Sequence, residues 1–344
     1  MAVANEQLNN IPLAPAPPEN LYFDEARKAW IASRYCDVLT ALRSMNLSQT
    51  GPPTAANRRS VRQNGEKLRA EILSEVAGSN TPEWQTQISG FASATLRSLH
   101  PHRSFDLVEH FIRPWCLASA VALTNIDPAH TVVLGDLVNS LSKADAAPEN
   151  VDLKCRASEA KEELGGFFQA HKTPQLKSLF VGIAQTTPVF LASACAALLL
   201  NPAAARQLES EWDRLPKAVE ELLRYAGPVH SLFRRADGAM DIQRTKVRCG
   251  DRLILRLASA NRDPQQFPRP DRLDFARDVA GHVALSSGSH YCAGGSLVRM
   301  MTKIAIQQIF GAYSEPRLSS PVEWCCGTML IWPSSLWVVL GNAH

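Results

Sequence analysis

Residues 282–299 read HVALSSGSHYCAGGSLVR, and this stretch decides how the rest of the chain is interpreted. Its small residues and glycines let the backbone pass close to a bulky group. After Gly294 the apolar residues recur at three- and four-residue steps, which predicts a helix. Cys292 is therefore expected in a tight loop just before a helix, where free N–H groups and the helix dipole favour a thiolate. A thiolate binds metals, although a buried structural cysteine in a glycine-rich turn is the alternative reading.

The loop resembles the haem-binding loop of the cytochrome P450 family, whose pattern is Phe-Gly-x-Gly-x-His/Arg-x-Cys-x-Gly. Four positions match it: Gly288, His290, Cys292 and Gly294. Leu285 and Ser286 stand in place of the Phe and the first Gly. The resemblance implies that Cys292 ligates the iron of haem b (iron protoporphyrin IX), that the two matching glycines contact the haem, and that His290 holds one of its propionates.

Three further segments occur in the order of the family. Residues 178–200 resemble its central helix, and residues 260–274, ANRDPQQFPRPDRLD, resemble its Asn-Arg-Asp-Pro segment. Glu221 and Arg224 resemble its Glu-x-x-Arg and lie on one face of a predicted helix. They are expected to form a buried structural pair, which Arg272 or Arg277 completes.

Composition limits the possible classes of protein. With 344 residues, 45% of them hydrophobic and 20% charged, the sequence predicts a soluble globular protein. A net charge of +3 gives no reason to expect a nucleic-acid partner. Residues 178–200 are long enough to cross a bilayer, but polar residues in the middle favour a buried helix over a membrane span. The polar N-terminus and the scattered cysteines favour the cytoplasm.

The resemblance also implies the fold: mainly α with small β-sheets, as one haem-thiolate domain over residues 1–344. The lid region before the central helix is shortened. Residues 129–177 leave room for about two helices where the family has three.

The centre of the long helix departs from the family pattern Ala/Gly-Gly-x-Asp/Glu-Thr-Thr. Gln185 replaces the acid and Thr186 keeps the alcohol, so these two are the candidate catalytic residues for oxygen activation. Pro188 lacks an N–H, which predicts a kink and an unpartnered carbonyl at Ala184. Alternatively, Gln185 points into helix packing and the proton relay runs elsewhere.

By the same resemblance, Arg69 and Arg234 join His290 as propionate partners, with Arg235 as an alternative to Arg234. Gly65 occupies the position of a further family ligand, a histidine. The expected substrate pocket comprises six residues: Ile183, Ala184, Val229, Leu232, Met329 and Leu330.

The implied function is a monooxygenase that inserts one oxygen atom from O2 into a small, largely apolar molecule, in secondary metabolism. A separate ferredoxin or flavodoxin is expected to supply electrons, because no Gly-x-Gly-x-x-Gly fingerprint is present. It is expected to dock on the basic run of Arg58, Arg59, Arg62 and Lys67. Two alternatives stay open: peroxide-driven, dehydration or rearrangement chemistry on the same haem, and a non-catalytic P450-like helper, which the retained Cys292 disfavours.

Overall fold

The computed structural model of the chain describes residues 21–48, 58–78, 81–99 and 103–343. The side chains of residues 58–65 and of residue 68 also lie outside this description. Most side chains of the basic run that was expected to dock an electron donor therefore lie outside the described residues. The same holds for Gly65, which occupies the position of the family histidine.

Helices make up most of the described structure. The α-helices are α1 (Tyr35–Arg43), α2 (Arg58–Gly78), α3 (Pro82–Arg97), α4 (Arg113–Leu123), α5 (Thr131–Ala146), α6 (Val151–Ala170), α7 (Leu176–Val181), α8 (Thr187–Leu200), α9 (Pro202–Ser210), α10 (Leu215–Ala226), α11 (Leu257–Ala260) and α12 (Gly295–Ile306). Short π-helical turns precede α4 at Val108–Ile112, join α7 to α8 at Gly182–Thr186, and extend α12 at Gln307–Gly311.

The strands are short and lie in small sheets. They are β1 (Tyr22–Asp24), β2 (Ala29–Ala32), β3 (Leu47–Ser48), β4 (Phe105–Asp106), β5 (Leu232–Ala236), β6 (Met240–Ile242), β7 (Thr245–Val247), β8 (Arg252–Leu255), β9 (Arg317–Leu318), β10 (Glu323–Cys326), β11 (Ile331–Ser335) and β12 (Trp337–Val339). The largest sheet has the order β1-β2-β8-β5-β3, and β10 pairs with β11 as a hairpin. The expected fold class, mainly α with small sheets, is confirmed.

The central helix, Leu176–Leu200, runs through the main hydrophobic core. It is apolar enough to cross a membrane, but 78% of its most apolar window is buried inside the protein. In α8 every residue from Thr187 to Leu199 is buried. A helix that is apolar on all sides is stable in water only when other elements surround it, which agrees with the expected buried helix.

The two lid helices, α5 and α6, lie between α4 and the central helix. The Asn150 side chain accepts the Leu153 N–H at 3.0 Å, so an N-cap begins α6 after a short connection. Two helices thus occupy the region where the sequence predicted room for about two.

Candidate functional site

An apolar cavity of about 340 Å³ lies between the central helix and the Cys292 loop. Gly182 and Thr186 line it from the central helix, and Cys292 and Gly294 line it from the loop. Ile72 of α2 closes one side. We call this space the thiol cavity, because the Cys292 side chain borders it.

Backbone hydrogen bonds fix the shape of the loop. The Cys292 N–H donates to the Leu285 carbonyl at 2.8 Å, and the Tyr291 N–H donates to the Gly288 carbonyl at 3.1 Å. Gly288 has a φ of 67°, and a Cβ there would stand 2.8 Å from the Leu42 carbonyl oxygen. Only glycine meets both conditions without strain.

Ser286, which replaces the first glycine of the family pattern, also has a positive φ, 65°. Its buried hydroxyl has no hydrogen-bond partner among the described residues. A serine in the left-handed region is strained. The departure from the family pattern therefore has a structural cost in this loop.

The thiol of Cys292 is not activated by the chain alone. Burial raises its pKa, and this outweighs the lowering effects of the Gly294 backbone N–H and of the nearby Arg69 and Arg299 charges. The helix start acts in the expected direction, since the Gly294 N–H lowers the pKa of the Cys292 thiol, but desolvation is the larger effect in the protein by itself. A bound metal ion would deprotonate the thiol outright.

A cluster of basic side chains lies beside the loop. Arg234 is buried, with 8% of its surface exposed, and burial lowers its pKa. Its guanidinium donates to the Phe233 carbonyl at 2.9 Å, and no carboxylate pairs with it in the part of the chain that the structure describes. The pKa of His290 is lowered by burial and by the positive charges of Arg234 and Arg69, so both arginines lie within electrostatic reach of His290.

Haem suits this arrangement on three grounds. A Cβ added at Gly182 or at Gly294 would meet no atom within 4 Å, so facing walls of the cavity leave space that the described chain does not fill. A buried, unpaired guanidinium requires an anion, and the haem carboxylates would supply it. A single thiol at the wall provides one axial ligand. Cys292 would then hold the iron, while Arg69, Arg234 and His290 would hold the carboxylates.

A buried ionic network on α10 is connected to the Cys292 loop by hydrogen bonds. Arg224 donates to both carboxylate oxygens of Glu221, at 2.7 and 2.9 Å, and both side chains are fully buried. Arg277 completes the network at 3.2 Å from Glu221. Arg224 also donates to the Asn261 carbonyl at 2.8 Å, and the Asn261 side chain accepts the Val283 N–H at 2.8 Å. The Glu-x-x-Arg helix is thereby connected to the start of the Cys292 loop.

A second ionic cluster, which sequence reasoning missed, joins α10 to α12. Arg299 binds Glu220 through two nitrogens, at 2.5 and 2.8 Å, and His282 lies 3.1 Å from the same carboxylate. Burial alone would raise the pKa of Glu220, but hydrogen bonds from Arg299 and His282 outweigh burial and lower it to about 2. Arg299 also donates to the Tyr291 hydroxyl at 2.9 Å, one residue from Cys292.

The central helix widens where it passes the thiol cavity. The π-helical turn Gly182–Thr186 ends two residues before Pro188, and both the N–H and the hydroxyl of Thr187 donate to the Gly182 carbonyl. The missing N–H of a proline is a known cause of such irregularity. A π-helical turn therefore lies just before Pro188, while the kink and the unpartnered Ala184 carbonyl stay predictions.

The two candidate catalytic residues lie on different sides of the helix. Thr186 lines the thiol cavity. Gln185 faces the opposite side, where its amide donates to Asp145 of α5 at 2.8 Å. The alternative reading, that Gln185 serves helix packing, agrees with this geometry.

The expected substrate residues divide in the same way. Ile183, Val229 and Leu232 line the thiol cavity. Ala184 and Leu330 instead line a second cavity, on the lid side of the central helix. Met329 is 41% exposed and contributes its carbonyl to the His230 and Ser231 N–H groups. Sequence pattern could not assign these sides, because they depend on how separate elements of the chain pack against one another.

Comparison with known proteins identifies the family to which the chain belongs. The cytochrome P450 family model matches residues 139–316, more than half of the chain. The crystal structure of CYP109E1 from Bacillus megaterium in complex with testosterone has the same fold, with a TM-score of 0.78 over 98% of this chain and 97% of that one at 20% identity. The chain belongs to the cytochrome P450 family.

Curated relatives match over different shares of the chain. The putative cytochrome P450 YjiB of Bacillus subtilis is 26% identical over 88% of this chain and 86% of its own length. The cytochrome P450 monooxygenase PikC of Streptomyces venezuelae is 39% identical, over 38% of this chain. The chain spans about a third of the length of several curated relatives that it matches, PikC among them.

Proposed function

We propose that this chain is a cytoplasmic haem-thiolate monooxygenase of secondary metabolism. It binds haem b, takes electrons from a separate ferredoxin or flavodoxin, and inserts one oxygen atom from O2 into a small, largely apolar molecule. One observation carries the proposal: the Cys292 thiol and the Thr186 hydroxyl line the same apolar cavity. The name of the matching relative PikC, a monooxygenase, supports it.

The side chains divide the work of the site. When bound, a thiolate-ligated haem supplies the activation of dioxygen. Cys292 would provide the thiolate, Arg69 and Arg234 would neutralise the haem carboxylates, and His290 would donate a hydrogen bond to one of them. The apolar residues Ile183, Val229 and Leu232 exclude water and favour an apolar substrate.

The Thr186 hydroxyl transfers the proton that the activation of dioxygen needs. A hydroxyl both donates and accepts hydrogen bonds, so it can hold a water molecule and pass a proton into the cavity. Among the described residues no hydrogen bond engages the Thr186 hydroxyl, and it is exposed toward the cavity. Gln185 cannot supply that proton, since an amide does not titrate near neutral pH.

The test is isotope incorporation. The haem-loaded chain is given NADPH, a surrogate ferredoxin, its reductase and a panel of apolar small molecules under oxygen-18 gas. We expect one labelled atom in the product of at least one compound, and Thr186→Val should divert electrons to hydrogen peroxide while Thr186→Ser retains product. Absence of label from every product would contradict the monooxygenase assignment.

A second candidate, a peroxide-using enzyme, is favoured by the contact between Gln185 and Asp145. The position of the family acid holds an amide, and its side chain binds the lid helix at 2.8 Å. If the second candidate is correct, hydrogen peroxide alone supports turnover as fast as the electron-transfer route. If turnover with hydrogen peroxide is slower than turnover by the electron-transfer route, the second candidate is excluded and the monooxygenase proposal stands.

A further inference from the structure

The Arg299 guanidinium binds the Glu220 carboxylate with two of its nitrogens and the Cys292 loop with the third. Nε and Nη2 donate to the two oxygens of Glu220. Nη1 donates to the Tyr291 hydroxyl at 2.9 Å and to the Gly295 carbonyl at 3.2 Å. Tyr291 directly precedes Cys292, and the Gly295 N–H donates to the Cys292 carbonyl at 3.2 Å. One cation is therefore bound to the loop on both sides of its thiol.

Close packing fixes the position of this cation. A Cβ added at Gly295 would stand 3.2 Å from Nη1 of Arg299, and 3.4 Å from both the Tyr291 ring and the Leu285 side chain. Bidentate pairing with Glu220 also holds the planar guanidinium in one orientation. Only 28% of the Arg299 side chain is exposed. The fold thus sets where the charge lies relative to the loop.

Two cations lie within electrostatic reach of the loop. The charges of Arg69 and Arg299 both act to lower the pKa of the Cys292 thiol, although burial raises it overall. Arg69 is assigned above to a haem carboxylate, which would neutralise it. Glu220 balances Arg299, but its side chain binds Arg299 and His282, whereas the residues beside Cys292 bind the guanidinium. The cation of this ion pair is therefore the partner of the loop.

A cation beside a thiolate-ligated haem affects how readily the iron accepts an electron. Reduction from ferric to ferrous adds one negative charge to the site, and a nearby positive charge stabilises that form. Charges and hydrogen bonds around the axial ligand are among the means by which a protein tunes a haem. Removal of the cation should therefore lower the reduction potential, and removal of the carboxylate that balances it should raise the potential.

We propose that Arg299 is a positioning residue that raises the reduction potential of the haem iron, and that Glu220 limits this increase. The inference rests on the proposed haem-thiolate function and adds to it the pair of residues that tunes the uptake of the electron. Arg299 acts through the loop and through its field at Cys292.

The test is a spectroelectrochemical titration of the haem-loaded chain between the ferric and ferrous forms. Arg299→Gln should shift this equilibrium toward the ferric form on the order of tenfold, which is 59 mV for a one-electron couple. Glu220→Gln should shift it in the opposite direction. The double variant, Arg299→Gln with Glu220→Gln, should return close to the parent because both charges are gone. Added salt should reduce the single shifts, since the pair is partly exposed.

Two sets of variants serve as controls. Arg299→Lys keeps the positive charge and should retain a potential closer to that of the parent than Arg299→Gln does. Glu109 and Arg113 form a partly exposed ion pair at 3.1 Å and line the second cavity, on the lid side of the central helix. Glu109→Gln and Arg113→Gln should leave the potential unchanged.

Shifts of the same sign in Arg299→Gln and Glu220→Gln would overturn the proposal, since loosening of the loop and not charge would then set the potential. Unchanged potentials in both variants would overturn it as well. If Arg299→Gln does not retain haem, Glu220→Gln decides alone, and a potential that does not rise contradicts the proposal. A parent without the thiolate-type carbon-monoxide spectrum would overturn the proposed function too, whereas unchanged potentials with that spectrum intact overturn only the role of Arg299.

Discussion

At the scale of single residues, the Cys292 loop carries strain at Ser286. Its φ of 65° places a non-glycine residue in the left-handed region. Its buried hydroxyl has no hydrogen-bond partner among the described residues. Ser286→Gly should raise the free energy of unfolding by about 1 kcal/mol, because glycine relieves that strain. Urea denaturation of the haem-loaded protein measures the change.

The matched comparison is Gly288→Ala, in the same loop. An added Cβ there would press on the Leu42 carbonyl at 2.8 Å, so this change should lower stability and haem retention. A loss of stability in Ser286→Gly would show that the serine hydroxyl makes a contact that outweighs the backbone strain.

Arg234 and Arg235 show what sequence could and could not decide at this scale. Both stand where the family has a propionate partner, and neighbouring residues of a strand face opposite sides. The pairing of Arg234 with Leu253 and of Arg235 with Arg252 on β8 sets which one points inward. Arg234 is buried and Arg235 exposed, so of the two residues that the sequence left open only Arg234 points into the fold.

This selection gives a prediction. Arg234→Leu should lower haem retention, because the haem carboxylates lose a desolvated partner, whereas the adjacent change Arg235→Leu should retain haem. Haem content after gel filtration, measured by absorbance, separates the two variants. Equal retention would exclude Arg234 as a carboxylate partner.

At the scale of elements, α10 holds the Cys292 loop through two adjacent acids. Glu221 was found from its spacing to Arg224, since partners three residues apart share a helix face. Glu220 has its partners 62 and 79 residues away, at His282 and Arg299, so no local spacing could reveal it. Contacts of this kind depend on how the helices pack.

Glu220→Gln should lower the free energy of unfolding by about 1.5–3 kcal/mol at neutral pH, since it weakens charged hydrogen bonds to Arg299. The folded pKa of Glu220 is about 2, below its ordinary value of 4.5. The carboxylate therefore stabilises the fold above pH 4.5, and this contribution is lost as the pH falls toward 2. Denaturation from pH 7 to 2 should show the difference between parent and variant shrinking in that window. A constant difference would contradict the ion pair.

Burial of Asp145, which outweighs the lowering effects of Lys161 and of the Gln185 amide, predicts the opposite pH dependence. Burial raises the folded pKa of Asp145 above its ordinary 3.8, so the fold prefers the protonated acid. Stability from this group is present below pH 3.8 and falls as the pH rises through the folded value. The melting temperature of Asp145→Asn should therefore rise relative to that of the parent as the pH increases. Asp213→Asn, which changes an exposed acid elsewhere on the chain, is the control. A gain that does not depend on pH would contradict this effect.

At the scale of the whole molecule, one long helix separates two cavities, and only one of them was expected. The order of motifs from the central helix to Cys292 was enough to predict the fold class and the thiol cavity, because each motif encodes a local backbone shape or a buried pair. The second cavity, on the lid side of the central helix, arises where α5 crosses that helix, and its walls come from segments far apart in the chain. The spacing of residues along the sequence does not predict a cavity of this kind.

The central claim is that Cys292 is the thiolate ligand of a haem held in the thiol cavity. The most direct measurement is the absorption spectrum of the haem-loaded chain, reduced and bound to carbon monoxide, for the parent, for Cys292→Ser and for the exposed-cysteine control Cys36→Ser. We predict the thiolate-type Soret band in the parent and in Cys36→Ser, and its loss in Cys292→Ser. A thiolate-type band that persists in Cys292→Ser, or that is absent from the parent, would contradict the assignment.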